Sequence, residues 1–212
     1  MKYLGFVRKN FDDPKFPVFT IGDLRASLGL MGIGNAYLLR ILNYLSRRGE
    51  ITRVGRGVYT FHDDITVVGF AYEPFYYGLE NALTLRKFWD QNTNPIVVTW
   101  RDVRRGVRRF GDGSYTVKHL DKRLFFGHEL VRYYDLWIPV SDAEKTLIDL
   151  VYFRHQISED ALALLRKSID RKKLDAYLKR YSRIVRKRVL EIARKPKPSL
   201  PNQDLKRRRA PS

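Results

Sequence analysis

Residues 34–61 read GNAYLLRILNYLSRRGEITRVGRGVYTF, a basic helix followed at once by a short glycine-turned hairpin. From Tyr37 onward Leu38, Ile41, Leu42 and Leu45 recur at helical spacing and form one apolar stripe. At about 100° per residue the opposite side carries Ala36, Arg40, Asn43 and Arg47. Arginine and asparagine have the donor geometry that pairs with guanine and adenine edges in a major groove. Gly49 stops the helix, and residues 51–54 and 58–61 read as two β-runs around Gly55-Arg56-Gly57, with Arg53 and Arg56 at the tip.

The residues before this stretch complete a pattern. A weak apolar period over residues 2–11 predicts a first helix, broken by the Pro14/Pro17 segment. Thr20 is placed as an N-cap with Asp23 as its capping-box partner, and Phe19 and Leu24 hold the two staple positions. Three glycines within residues 29–34 make the turn into the basic helix. Helix, turn, longer helix, hairpin is the order of a winged helix-turn-helix. A purely structural helical unit with a solvated basic face would share the helix pair but not the basic two-glycine hairpin directly after it.

Composition bounds the possibilities. The 212 residues are 44% apolar and 30% charged, which suits one or two globular domains. The absence of cysteine excludes a disulfide framework, a thiolate metal site and a thiol nucleophile. Without a signal-like start or an apolar run of the ~20 residues that a membrane helix needs, a cytoplasmic protein with no membrane partner is expected. The net charge of +18 is uneven. Residues 1–65 contribute +4, residues 66–165 none, residues 166–195 +10 and residues 196–212 +4. A polyanion, most simply double-stranded DNA, is the partner such a distribution points to, with a merely solubilising surface as the bland alternative for residues 166–212.

The expected fold is α+β: a winged helix at 1–64, a second α+β domain with a small antiparallel sheet and cationic carboxy-terminal helices at 65–195, and a basic disordered tail at 196–212. Residues 62–76 are a transition, with residues 65–68 a strand or the lead into a helix. Residues 76–89 read as a helix, and 96–100, 115–119, 123–127 and 136–140 as strands. Arg101, Arg104, Arg105, Arg108 and Arg109 precede the turn Gly111-Asp112-Gly113. That basic arm is either a phosphate contact or a charge-protected sheet edge, and the two are compatible. Ser141 is read as a helix N-cap with Glu144 as its partner, and Ser158 as another. Two cationic helices follow, at 171–180 and 182–195, the second with Ile184, Val185, Val189 and Ile192 inside.

Catalytic signals are weak. His62, His119, His128 and His155 show no metal-ligand spacing, and neither a phosphate-binding glycine loop nor a nucleophile elbow is present. No cofactor or metal is expected. Asp142, Glu144, Asp149 and Lys145 are the best candidates for metal-dependent phosphodiester chemistry, but capping explains Glu144 without it. A metal-dependent nuclease or nucleic-acid-modifying enzyme with a winged-helix targeting domain is therefore the rival reading. A module that meets an acidic protein is a second rival.

The stretch Arg53-Val54-Gly55-Arg56-Gly57-Val58-Tyr59, then Tyr77-Gly78-Leu79-Glu80-Asn81-Ala82-Leu83, then residues 138–149 (IPVSDAEKTLID) resembles the AbiEi-type antitoxins of type IV toxin–antitoxin systems over roughly residues 15–155. The resemblance implies a non-enzymatic transcriptional autorepressor that binds promoter inverted repeats and counters a nucleotidyltransferase-like toxin, and the sequence leaves open whether it binds DNA as a dimer. The DNA-reading role then falls to Asn35, Ala36, Tyr37, Arg40, Asn43 and Arg47 and to the wing residues Arg53 and Arg56, with Arg104, Arg105, Arg108 and Arg109 as a further basic contact. No antitoxic residue is assigned by motif.

Overall fold

The capped start at Thr20 is the first junction of the fold in a computed structural model, which describes residues 2–13 and 16–194. Helix α1 (Leu4–Phe11) precedes it, with Leu4 and Val7 buried. Thr20 Oγ1 accepts the Asp23 amide at 3.1 Å, while the Thr20 amide donates to Asp23 Oδ2 at 2.7 Å, so two of the free donors at the start of α2 (Ile21–Gly29) are satisfied reciprocally. Helix α3 spans Asn35–Arg47 and buries the expected stripe of Leu38, Ile41, Leu42 and Leu45 against Leu24, Leu28, Phe19 and α1. Its end is a Schellman turn. Gly49, at φ +69°, donates to Ser46 O, and Glu50 donates to Leu45 O. Strands β2 (Thr52–Gly55) and β3 (Val58–Thr60) form the hairpin around Arg56-Gly57. Phe19–Thr20 is itself a strand, β1, pairing antiparallel with β3 to give a three-stranded sheet of order β1-β3-β2. Two residues are too short to show strand periodicity, so this third strand was invisible in the sequence pattern.

Residues 65–72 form a 3-10 segment, capped by Asp64, whose side chain accepts the Thr66 amide at 2.7 Å. The helix expected over 76–89 is corrected. Phe75–Tyr77 is strand β4, and only Leu79–Leu85 is helical (α4). Three consecutive aromatics favour a pleated surface, and Gly78 makes the break between the two elements. Strands β5 (Ile96–Thr99), β6 (Gly106–Phe110), β7 (Gly113–His119), β8 (His128–Tyr133) and β9 (Leu136–Ser141) complete a second sheet of order β6-β7-β5-β4-β9-β8.

This sheet is mixed, not antiparallel as expected. β5 runs parallel to β7 and β4 parallel to β9, while the pairs β4/β5, β6/β7 and β8/β9 are antiparallel. The hairpin β6–β7 folds back so that its second strand, not its first, pairs with β5. Apolar alternation reports which face a residue takes and is silent on which neighbour its strand will pair with. Residues 123–127 are not a strand either. Lys122–Leu124 is a 3-10 turn begun by Asp121, which accepts the Arg123 amide at 2.9 Å, and the strand begins only at His128.

Helices α5 (Ala143–Tyr152), α6 (Glu159–Lys167), α7 (Arg171–Leu178) and α8 (Arg183–Arg194) follow. The cap of α5 is Asp142, whose carboxylate accepts the Lys145 amide at 2.8 Å; Ser141 instead closes β9. Both faces of the six-stranded sheet are covered. Tyr76, Ile96 and Val98 point to the helical side with Leu147, Ile148, Leu165, Leu174, Leu178 and Val189. Their strand neighbours Phe75, Tyr77 and Val97 point to the other side with Val67, Val68, Tyr115 and Val117. The wing joins that second core, since Val54 of β2 is buried in it and Tyr115 Oη donates to Val54 O at 3.4 Å. Ile184, expected inside, is 81% exposed, because it lies five residues before Val189, about 140° round the helix from the Val185/Val189/Ala193 side on which α8 packs. The tail 196–212 lies outside the described residues. No helix among the described residues is long and apolar enough to cross a membrane.

Candidate nucleic-acid interface

Because the leucine stripe of α3 faces the core, its opposite side is fixed toward solvent. Asn35, Ala36, Arg40, Asn43 and Arg47 are all exposed, and Tyr37 is half-buried, edge-on to Tyr3 at 5.9 Å. The helix carries no Asp or Glu, so its outward side presents cations and an amide without an internal acid to neutralise them. Leu39, half exposed beside Arg40, adds an apolar contact to this side that the polar row did not foresee. Asn35 does not stand free. Arg25 Nε donates to Asn35 Oδ1 at 2.9 Å, so α2 sets the orientation of the first side chain of α3 and leaves the Asn35 Nδ2 protons directed elsewhere. Arg48, by contrast, is engaged. It donates to Glu50 at 2.7 Å, and Arg8 donates to the same carboxylate at 2.8 Å, together holding Glu50 below the usual carboxylate range.

On the hairpin, Arg56 is exposed at the turn, and Arg53 is exposed but tied at Nε to Gly55 O at 3.0 Å. Gly57 supplies the positive φ, +73°, that the turn requires. Strand β2 lies against β6, which brings the wing and the basic arm together in space. β6 is the edge of its sheet. Arg104, Arg105 and Arg109 are exposed along this arm. Arg108 differs: its Nη1 donates to Tyr72 Oη at 2.9 Å, its guanidinium sits 5.3 Å from the Tyr72 ring, and it is half-buried. Tyr72, in turn, shares a hydrogen bond of 2.9 Å with Tyr115. Arg108 therefore braces the junction between the sheet and the wing. Neither Arg25 nor Tyr72 was singled out by sequence, since both act through partners distant along the chain.

The carboxylates considered for metal chemistry are each occupied. Asp142 caps α5 and accepts from Tyr177 Oη at 2.8 Å, with Lys173 Nζ 3.1 Å away. Glu144 Oε1 accepts the Asp170 amide at 2.7 Å, and its other oxygen pairs with Lys173 at 3.1 Å. Asp149 pairs with Lys145 one helical turn away and accepts from Tyr76 Oη at 2.6 Å; Lys145 also donates to Tyr181 at 2.9 Å. Both members of the Lys145–Asp149 pair are fully buried. Burial pushes the Lys145 ammonium down and the Asp149 carboxyl up, and each partly restores the other. Together these residues clasp α7 and the turn after it, at Tyr181, onto α5. Among the described residues no three His, Cys, Asp or Glu side chains group so as to hold a metal ion.

The arrangement defines an α+β protein whose amino-terminal unit is a helix pair with a hairpin closing a three-stranded sheet. Residues 15–62 match the family model described as "Transcriptional regulator, AbiEi antitoxin", so this unit is similar to that family. A search of curated proteins finds no match. Among solved structures, the RV2827C protein from Mycobacterium tuberculosis superposes with a TM-score of 0.60 at 13% identity, over 91% of this chain and 76% of that one. At that identity the likeness is one of fold alone.

Proposed function

We propose that this chain is a winged-helix DNA-binding autorepressor and the antitoxin of a type IV toxin–antitoxin pair. The observation that carries the reading is the solvent side of α3, where Arg40, Asn43 and Arg47 stand exposed on a helix without acids, beside a hairpin tipped by Arg56. In this reading α3 enters the major groove. Arg40 and Asn43 read base edges, and Arg56 with the exposed Arg104, Arg105 and Arg109 neutralises flanking phosphates. The winged unit comprises residues 1–64, and residues 65–195 form the second domain, which faces a nucleotidyltransferase-like toxin. Two copies on an inverted repeat would present two such helices one DNA turn apart. Support for the regulator and antitoxin assignment comes from the family match over residues 15–62.

The test is a mobility-shift titration of the full chain on its own promoter and on random duplex, at two salt concentrations. Promoter binding tighter than random duplex, lost with Arg40→Ala, is the expected result. Equal affinity for both duplexes would overturn the reading.

A further inference from the structure

A concavity lies away from α3, between α4, the loop that follows it and the turn joining β8 to β9, with a volume of about 660 Å³. That is within the range of roughly 300–1,000 Å³ typical of small-molecule sites. Its wall is unusual for a structural gap. Asn81, only 4% exposed, lines it; its Nδ2 donates to Thr93 Oγ1 at 3.3 Å, while its Oδ1 has no partner in the protein. In this orientation Asn81 Oδ1 is a buried acceptor that calls for a donor from outside the protein. Thr84, hydrogen-bonded to Gln91 O at 2.8 Å, lies beside them.

At the rim stand Lys87 and Arg132, neither in an ion pair among the described residues, and no Asp or Glu lines the cavity. Arg132 is steered by its bond from Nε to Tyr134 O at 3.2 Å. Tyr134, 78% exposed, packs edge-on to Tyr133 at 4.8 Å, which leaves ring surface open. Two unpaired cations, an open aromatic ring and an amide–hydroxyl floor short of a donor are complementary to one ligand class. It carries an anionic group for Lys87 and Arg132, a flat ring for Tyr134, and N–H donors for Asn81.

We propose that this cavity binds a nucleoside monophosphate with an amino-bearing base, phosphate at the rim and base toward Asn81. The site is independent of the DNA-reading side of α3.

Calorimetric titration of the full chain with adenosine, guanosine and cytidine 5′-monophosphates, and with inorganic phosphate, tests it. At least one nucleotide is expected to bind about tenfold more tightly than phosphate, because stacking adds to the charge contact. The double variant Lys87→Gln/Arg132→Gln, and separately Tyr134→Ala, should each weaken it about tenfold. These side chains sit at the rim, so the fold is retained, and Arg40→Ala should leave nucleotide binding unchanged. A short single-stranded oligonucleotide separates the two sources of the same chemistry. Binding of the oligonucleotide without any mononucleotide would overturn the proposal. So would absence of binding, affinity no better than phosphate, or affinity unaffected by the rim variants, which would mark a counterion effect of the basic surface.

Discussion

Arg25, on α2, donates its Nε hydrogen to the side-chain oxygen of Asn35, the first residue of α3, at 2.9 Å. Helix α2 thus holds the leading side chain of α3, the helix proposed to read DNA. Arg25→Ala is expected to weaken binding to a specific duplex by about 0.5–1.5 kcal/mol through loss of this one hydrogen bond, while thermal stability hardly moves. Fluorescence anisotropy with the promoter duplex measures the first quantity and thermal denaturation the second. A loss of stability without a loss of affinity would make the contact purely structural.

Arg40 and Asn43 stand further along the same side, exposed. Arg40→Ala or Asn43→Ala should cost about 1–3 kcal/mol on a specific site and relax its sequence preference. Arg56→Ala should act differently, weakening all duplexes alike and lowering the salt slope by about one. Titrations at several salt concentrations on specific and random duplex distinguish the two behaviours.

Lys145 and Asp149 are both fully buried and joined to Tyr181 and Tyr76. Lys145→Met leaves a lone buried carboxylate and is expected to cost about 3–5 kcal/mol in urea unfolding. Replacing both, with Lys145→Met and Asp149→Leu, should recover much of that loss, since an apolar pair needs no compensating charge. If the single variant were as stable as the native chain, the hold of α5 on Tyr181 and the end of α7 would rest on packing alone.

Gly69 is held where an added Cβ would lie 2.1 Å from Phe75 Cε2 and 2.6 Å from Tyr77 Oη. Gly69→Ala must displace two buried rings, and a loss of about 1–3 kcal/mol or more is expected, read by chemical denaturation. An unchanged midpoint would mean that the 3-10 segment does not lie against β4.

His128 stacks on Tyr76 with ring centres 5.1 Å apart, and its burial holds the imidazole below its ordinary pKa. The folded state therefore disfavours the charged ring. Its neutral form contributes stability that is full above the unfolded value near 6.5 and is lost as pH falls through the lower folded value. Stability should decline from pH 7 toward pH 5, and His128→Phe should flatten that part of the profile in denaturant titrations across this range.

The amino-terminal unit was legible because its signals are local. The capping box at Thr20 and Asp23, the four-residue stripe of α3 and the glycine at 49 each operate within a few residues of chain. The second sheet was not legible to the same depth. Strand direction at β5/β7 and β4/β9 depends on which distant partner arrives, and no periodicity within a strand encodes that. The cap of α5 shows a subtler failure. Ser141 and Asp142 are both good capping residues, and the choice between them was made by pairing, since Ser141 is held opposite His128 in the sheet. The exposed arginines of α3 were found because their apolar neighbours revealed the helix phase. Arg25 and Tyr72 act through partners remote in sequence and left no local sign.

The most direct measurement is in vitro selection from a random duplex library with the native chain and with Arg40→Ala/Asn43→Ala. The native chain should enrich an inverted repeat, and the double variant should lose that motif while still retaining duplex at low salt. Enrichment of the same repeat by both proteins, or of none by the native chain, would contradict the assignment of α3 as the reading helix.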